Sequence, residues 1–91
     1  MNTRAEVYHA IDTERDYQDG KWINNTPDGN RKHSAEDWIL YMEDYLAEAK
    51  HVLARNSDAN AYPPVMDIMR KVTALGVVAM EQLGVVERIV V

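Results

Sequence analysis

The strongest constraint on this chain is its last third, residues 64–91, where apolar side chains surround most of a helix instead of marking one side of it. Val65, Ile68, Met69, Val72, Leu75, Ala79 and Leu83 recur at the i, i+3, i+4 spacing of a core-facing stripe. Met66, Ala74, Val77, Val78 and Met80 lie on the other sides of the same helix, and a second apolar run, 85–91, follows Gly84. A helix that is apolar nearly all round is buried nearly all round. In a chain of 91 residues, a second copy is the readiest source of that cover, so the sequence predicts a homo-oligomer.

Length and charge narrow the class further. The chain has room for one domain, 1–91, with a modest core. A net charge of −5, with basic residues scattered, argues against a nucleic-acid polymer as partner. Only Arg31-Lys32-His33 forms a local basic cluster, of a size typical of solvated surface. Without cysteine there is no disulfide and no thiolate metal site. No segment approaches the ~20 apolar residues of a membrane span, and no leader-like apolar region opens the chain, so the expected setting is the cytoplasm without membrane contact.

Helix signals divide the chain into three. Thr3 with Glu6 forms a capping box for a first helix over about 4–19, with Gly20 as its stop. A polar stretch rich in turn formers gives a loop over 20–33. Ser34 with Asp37 caps a second helix over about 35–55, with Ile39, Met42, Leu46, Ala49 and Leu53 as a heptad-like seam widened by Trp38, Tyr45 and Val52. Pro63-Pro64 introduces a third helix over about 64–83. The fold class is therefore all-α, with the second and third helices as a long antiparallel hairpin. Gly76 allows a close helix approach, within the chain or between subunits. The β-branched tail 85–91 must pair with another chain or lie against the helices.

The first helix is poor in apolar surface and rich in groups that bind. Val7 and Ile11 form a thin stripe, whereas Tyr8, Asp12, Arg15, Asp16, Gln18, Lys21 and Trp22 can hydrogen-bond, pair charges or stack. Arginine offers phosphate a planar fork, lysine a point charge, and tyrosine or tryptophan a face for a base. Asp12 or Asp16 paired with Arg15 on the helix surface is the plainer alternative. His33 precedes the second helix, where free backbone N–H groups favour an anion. Trp38 is read as either core or ligand wall. The candidate ligand-binding set is Tyr8, Arg15, Gln18, Lys21, Trp22, His33, Trp38 and Arg70. The three histidines have no metal-ligand spacing, and no cysteine nucleophile, serine elbow or Walker-type loop is present, so no metal, cofactor or catalytic residue is assigned.

Two resemblances bear on the ligand. The helical hairpin with Glu43, Asp44 and Glu48 resembles the all-α nucleotide pyrophosphohydrolases of the MazG kind, which hold Mg²⁺ with Glu-Glu-x-x-Glu on one helix and Glu-x-x-Asp on the next. Here Ala47 stands where the third acid belongs, and Pro64 stands three residues before Asp67. That resemblance implies a nucleotide-binding fold whose metal site is missing a pair of acids; the enzyme alternative is a divergent Mg²⁺-dependent nucleoside triphosphate pyrophosphohydrolase using Glu43, Asp44, Glu48 and Asp67. The run from Tyr8 to Trp22, with His33-Ser34-Ala35-Glu36-Asp37-Trp38-Ile39 and the segment from Met69 to Gly76, resembles a group of small phage proteins that includes nucleotide sponges. Those sequester cyclic-oligonucleotide or cyclic ADP-ribose immune signals. That resemblance implies a non-enzymatic oligomer with ligand pockets at subunit boundaries. Residue chemistry assigns Arg15, Lys21 and Arg70 to phosphates, and Tyr8, Trp22 and Trp38 to stacking on bases or walling the pocket. A helical adaptor that inhibits a host protein through its first helix is the remaining alternative.

Overall fold

Each helix begins where its local chemistry satisfies the first free N–H groups. In the computed structural model, which describes residues 1–22, 33–56 and 59–90, α1 spans Arg4–Trp22, α2 Ala35–Arg55 and α3 Tyr62–Leu83. At α1 the Thr3 hydroxyl accepts from the Glu6 N–H at 3.1 Å, while Glu6 accepts from the Thr3 N–H at 3.1 Å. The same reciprocal pair forms at α2, Asp37 N–H to Ser34 Oγ at 3.1 Å and Ser34 N–H to Asp37 Oδ2 at 3.2 Å. A single 3-10 turn, Ala59–Ala61, leads into α3, whose first turn holds Pro63 and Pro64. Gly84, at φ 103°, ends α3 and donates its N–H to Met80 at 2.9 Å. Among the described residues the fold is all-helical, without a strand.

Two expected boundaries, and the placement of the tail, differ. Gly20 does not stop α1, which continues to Trp22; Gly20 stays out of the left-handed region that a glycine stop uses. Helix α3 begins at Tyr62, two residues ahead of the expected start, because proline fits the first turn, where no intrahelical N–H bond is needed. Residues 84–90 neither form a strand nor lie against the helices; Val86 and Val90 are at least 90% exposed. The predicted loop falls outside the described residues over 23–32.

Helix α3 is the centre of the molecule, packed against α2 on one flank and α1 on another, while α1 and α2 share no comparable interface. Trp38, near the start of α2, packs with Leu75 and Val78 near the end of α3. Ala49, in the second half of α2, packs with Val65, Ile68 and Val72 near the start of α3. Met42 and Tyr45 join the two clusters. The stripe of α2 that faces α3 is thus Trp38, Met42, Tyr45, Ala49 and Val52. Ile39, Leu46 and Leu53 of the expected seam stay exposed.

On α3 the covered arc also differs from the stripe read in sequence. Ala74 and Val78, expected on outer sides, are buried, whereas Met69 and Leu83, expected inside, are exposed along with Met66 and Met80. Being flanked by two helices rotates the covered arc, and the small Ala74 side chain suits the close passage of a neighbour. The result is flat, 44 × 39 × 23 Å, with a radius of gyration of 15.1 Å. A compact domain of this length has about 12 Å. The accessible surface, 7420 Å², exceeds by roughly 2,000 Å² that of a compact monomer of equal mass.

Candidate functional site

The inner face of α1 consists of Ile11, Glu14, Arg15 and Gln18, all buried, and three of the four are polar. Buried charge must be paired to be tolerated, and here α3 supplies the partners. Arg15, 6% exposed, grips Glu81 with Nε at 3.0 Å and Nη2 at 3.2 Å. Its Nη2 also donates to Asp19 at 2.8 Å, and Nη1 to Gln18 at 3.1 Å. Burial, the largest single influence, pulls the Arg15 pKa down, but the hydrogen bonds to Glu81 and Asp19 and their charges raise it further than burial lowers it.

A second ion-pair cluster lies farther down α3, about 16 Å away by helix rise. Arg70 Nε donates to Glu14 at 2.8 Å, its Nη2 donates to Asp67, and Lys71 Nζ stands 3.3 Å from Asp67. The hydrogen bond to Glu14, followed by that to Asp67, raises the Arg70 pKa. The Asp67 carboxyl is held below its ordinary range, first by Arg70 and then by Lys71. The surface pairs Asp12–Arg15 and Asp16–Arg15 considered from sequence are replaced by Arg15 with Glu81 and Asp19.

At the α2 end, His33 and Trp38 meet as expected residues, with Tyr41 and Gln82 completing the group. The rings of His33, Trp38 and Tyr41 stand edge-on to one another at centroid distances of 5.0, 5.4 and 5.9 Å. Gln82 Oε1 accepts from Trp38 Nε1 and from the His33 N–H, each at 3.2 Å. Trp38 is 3% exposed, so it serves the core and not an open ligand wall. His33 Nδ1 lies 3.6 Å from Asp37 Oδ2, placing a carboxylate beside the imidazole where an anion was considered.

The eight candidate residues therefore divide among separate places. Arg15 and Gln18 sit in the α1–α3 joint, His33 and Trp38 in the α2–α3 joint, and Glu81 and Gln82 are the adjacent α3 residues serving them. Tyr8 and Lys21 are exposed, and the Trp22 side chain lies outside the described residues, as do Arg31 and Lys32. Arg70 lines the wall of an open cleft of about 490 Å³ between the N-terminal halves of α1 and α3. The rest of that wall includes Val7, Ala10, Ile11, Met66 and Met69, with Glu6 and Asp67 as acids. Sequence reading missed Met66 and Met69 as lining residues, because a methionine in a helical apolar pattern carries no mark separating core from cleft.

Among the described residues, no three His, Asp or Glu side chains gather as a metal ion requires. Asp67, one acid of the pyrophosphohydrolase comparison, is instead engaged by Arg70 and Lys71. No helix among the described residues is long and apolar enough to cross a membrane. No family model matches this chain, and comparison with curated proteins and with solved structures finds no similar protein.

Proposed function

We propose that this chain is a non-enzymatic helical binding protein of the cytoplasm, one that self-associates and sequesters a small nucleotide signal. In this reading α2 and α3 form an antiparallel hairpin, α1 is clipped to it by ion pairs, and the ligand enters the cleft between α1 and α3. A phage protein that blocks host defence by this means is the biological setting the sequence resemblance implies.

The observation that supports binding is the position of Arg70 on the wall of a largely apolar cleft. Its bonds to Glu14 and Asp67 use two of the five N–H groups of a guanidinium, leaving capacity for a further oxyanion. A base and sugar would cover Met66, Met69 and Val7 while a phosphate shares Arg70. Glu6, Glu14 and Asp67 make this neighbourhood acidic, so binding requires the phosphate to compete for Arg70. Affinity should therefore be moderate and sensitive to ionic strength.

Calorimetric titration with cyclic dinucleotides and cyclic ADP-ribose tests this reading. Saturable binding is expected for at least one, weakened at least about tenfold by Arg70→Met and unchanged by Tyr17→Ser on the exposed side of α1. Helical circular dichroism of Arg70→Met checks that the fold survives. No binding of any of these nucleotides at about 50 µM refutes the reading.

A further inference from the structure

The α2–α3 layer carries an uncovered apolar stripe on each helix. On α2 it is Ile39, Leu46 and Leu53; on α3 it is Tyr62, Met69 and Leu83, all between 38 and 60% exposed. Gly76 occupies the remaining position of the α3 stripe, whose members, like those of α2, follow one another at intervals of seven. That spacing lays each stripe nearly along its helix axis. Both open on one side of the layer: Met42, one turn from Ile39 and from Leu46, comes within 3.7 Å of where a Cβ on Gly76 would lie.

We propose that a second copy of this chain docks on this face, about a two-fold axis crossing the helices at Leu46. The proposal names the surface for the self-association in the reading above. Reversing the α2 stripe about Leu46 sets Ile39 against the partner's Leu53 and Leu46 against the partner's Leu46. Reversing the α3 stripe about Val72 and Thr73 sets Tyr62 against the partner's Leu83 and Met69 over the partner's Gly76. The long methionine then faces the one stripe position with no side chain. These two centres lie within about one helical turn of each other in height. Met42 reaches Gly76, Trp38 packs beside Leu75 and Val78, and Ala49 packs among Val65, Ile68 and Val72, which places Leu46 opposite the stretch from Arg70 to Val72. One axis therefore serves both stripes, as an isologous dimer requires.

Charge favours the same occupant. Glu43 and Lys50 flank the α2 stripe, and neither has a charged residue three or four positions away on its own helix, since 39, 40, 46, 47, 53 and 54 are all apolar. Across the axis, Glu43 meets the partner's Lys50 and Lys50 the partner's Glu43. Met66 and Met69, which line the cleft, lie on or beside this face, so the partner would roof the cleft.

Sedimentation equilibrium of the full chain without nucleotide tests the proposal. The wild type should be a dimer, or an assembly built of dimers. Glu43→Lys and Lys50→Glu should each weaken association about tenfold, because two attractive cross-axis pairs become repulsive. The double swap, Glu43→Lys with Lys50→Glu, should return association to near the wild-type value. A wild type that stays monomeric at about 100 µM with helical circular dichroism overturns the proposal. So does a double swap as weak as either single one, or single swaps without effect. Because no nucleotide is present, failure of the ligand reading leaves this result standing, and the reverse holds too.

Discussion

Changing Glu81 to Gln should loosen α1 while leaving α2 and α3 paired. Arg15 is almost fully buried, whereas Glu81 is 53% and Asp19 57% exposed, so the pair is intermediate between surface and interior. Breaking a fully buried pair costs about 3–5 kcal/mol, and a surface pair contributes about 0–1 kcal/mol. With solvent screening at Glu81, and with Asp19 and Gln18 still on Arg15, the expected loss is about 1.5 kcal/mol. Among the described side chains of α1, Ile11 is the only buried apolar one, contributing about 1.5–3 kcal/mol to holding the helix down. Native-state hydrogen exchange should then run about tenfold faster in α1 amides, with the slowest α3 amides changing less. Arg15→Met with Gln18→Leu is the informative companion: it removes the buried cation together with the buried amide that bonds it, and leaves Glu81 facing water. It should cost less than Glu81→Gln, so deleting the buried polar side of the joint is the milder change. Unchanged exchange in α1 for Glu81→Gln refutes this reasoning, as does the Arg15→Met, Gln18→Leu variant proving the more damaging of the two.

Three further outcomes are expected. Val78→Asp should unfold the chain, lowering Tm by more than about 10 °C in thermal melts, because Val78 packs with Trp38 and Leu75. Asp67 has its pKa lowered by Arg70 and Lys71, Asp37 by the Ser34 N–H and Glu6 by the Thr3 N–H. Stability from lowered carboxylates is full above their ordinary range, near pH 4, and is lost as pH falls through the lowered folded values. Melts below about pH 4.5 should therefore show falling Tm, with a shallower fall in Asp67→Asn; an identical slope excludes Asp67. Val86→Ser with Val90→Ser should shift Tm by less than about 2 °C, because both side chains already face water.

Features set by neighbours in sequence were readable; those set by neighbours in space were not. Thr3 with Glu6 and Ser34 with Asp37 bond as their three-residue spacing requires, since a capping box involves only its own turn. Which side of α2 meets α3 was ambiguous, because Trp38, Met42, Tyr45, Ala49, Val52 and Ile39, Leu46, Leu53 are overlapping stripes in one helix. Only the position of α3 separates them. Arg15, Gln18 and Arg70 stood out as groups able to bind, and the structure brings each to the joint or cleft between α1 and α3. The acids that pair with the arginines across the joint are Glu81, 66 positions from Arg15, and Glu14, 56 positions from Arg70. No local pattern connects residues so far apart, and an unpaired arginine in a sequence looks the same as one committed to a distant carboxylate.

The contrast between the two joints has a functional consequence. Apolar contact holds α2 to α3 and is insensitive to salt, whereas the described side chains of α1 meet α3 largely through charge-assisted bonds, which salt screens at the exposed Arg70 end more than at the buried Arg15. An anion that takes donors on Arg70 draws on a group that also bonds Glu14 of α1. A bound anion and α1 would therefore act on the same guanidinium, and whatever shifts one would shift the other by linkage. A partner roofing the cleft would add apolar cover near Met66 and Met69 without touching the Arg15–Glu81 clip. Assembly should then strengthen ligand binding by reducing exposure of the cleft, while Arg15 keeps α1 anchored at its other end. Glu81→Gln and the charge swaps at Glu43 and Lys50 would both bear on that one cleft, the first through its α1 wall and the second through its roof. If the cleft binds a nucleotide, their effects on affinity should depart from additivity, and a double-variant cycle that adds within about 0.3 kcal/mol refutes the coupling.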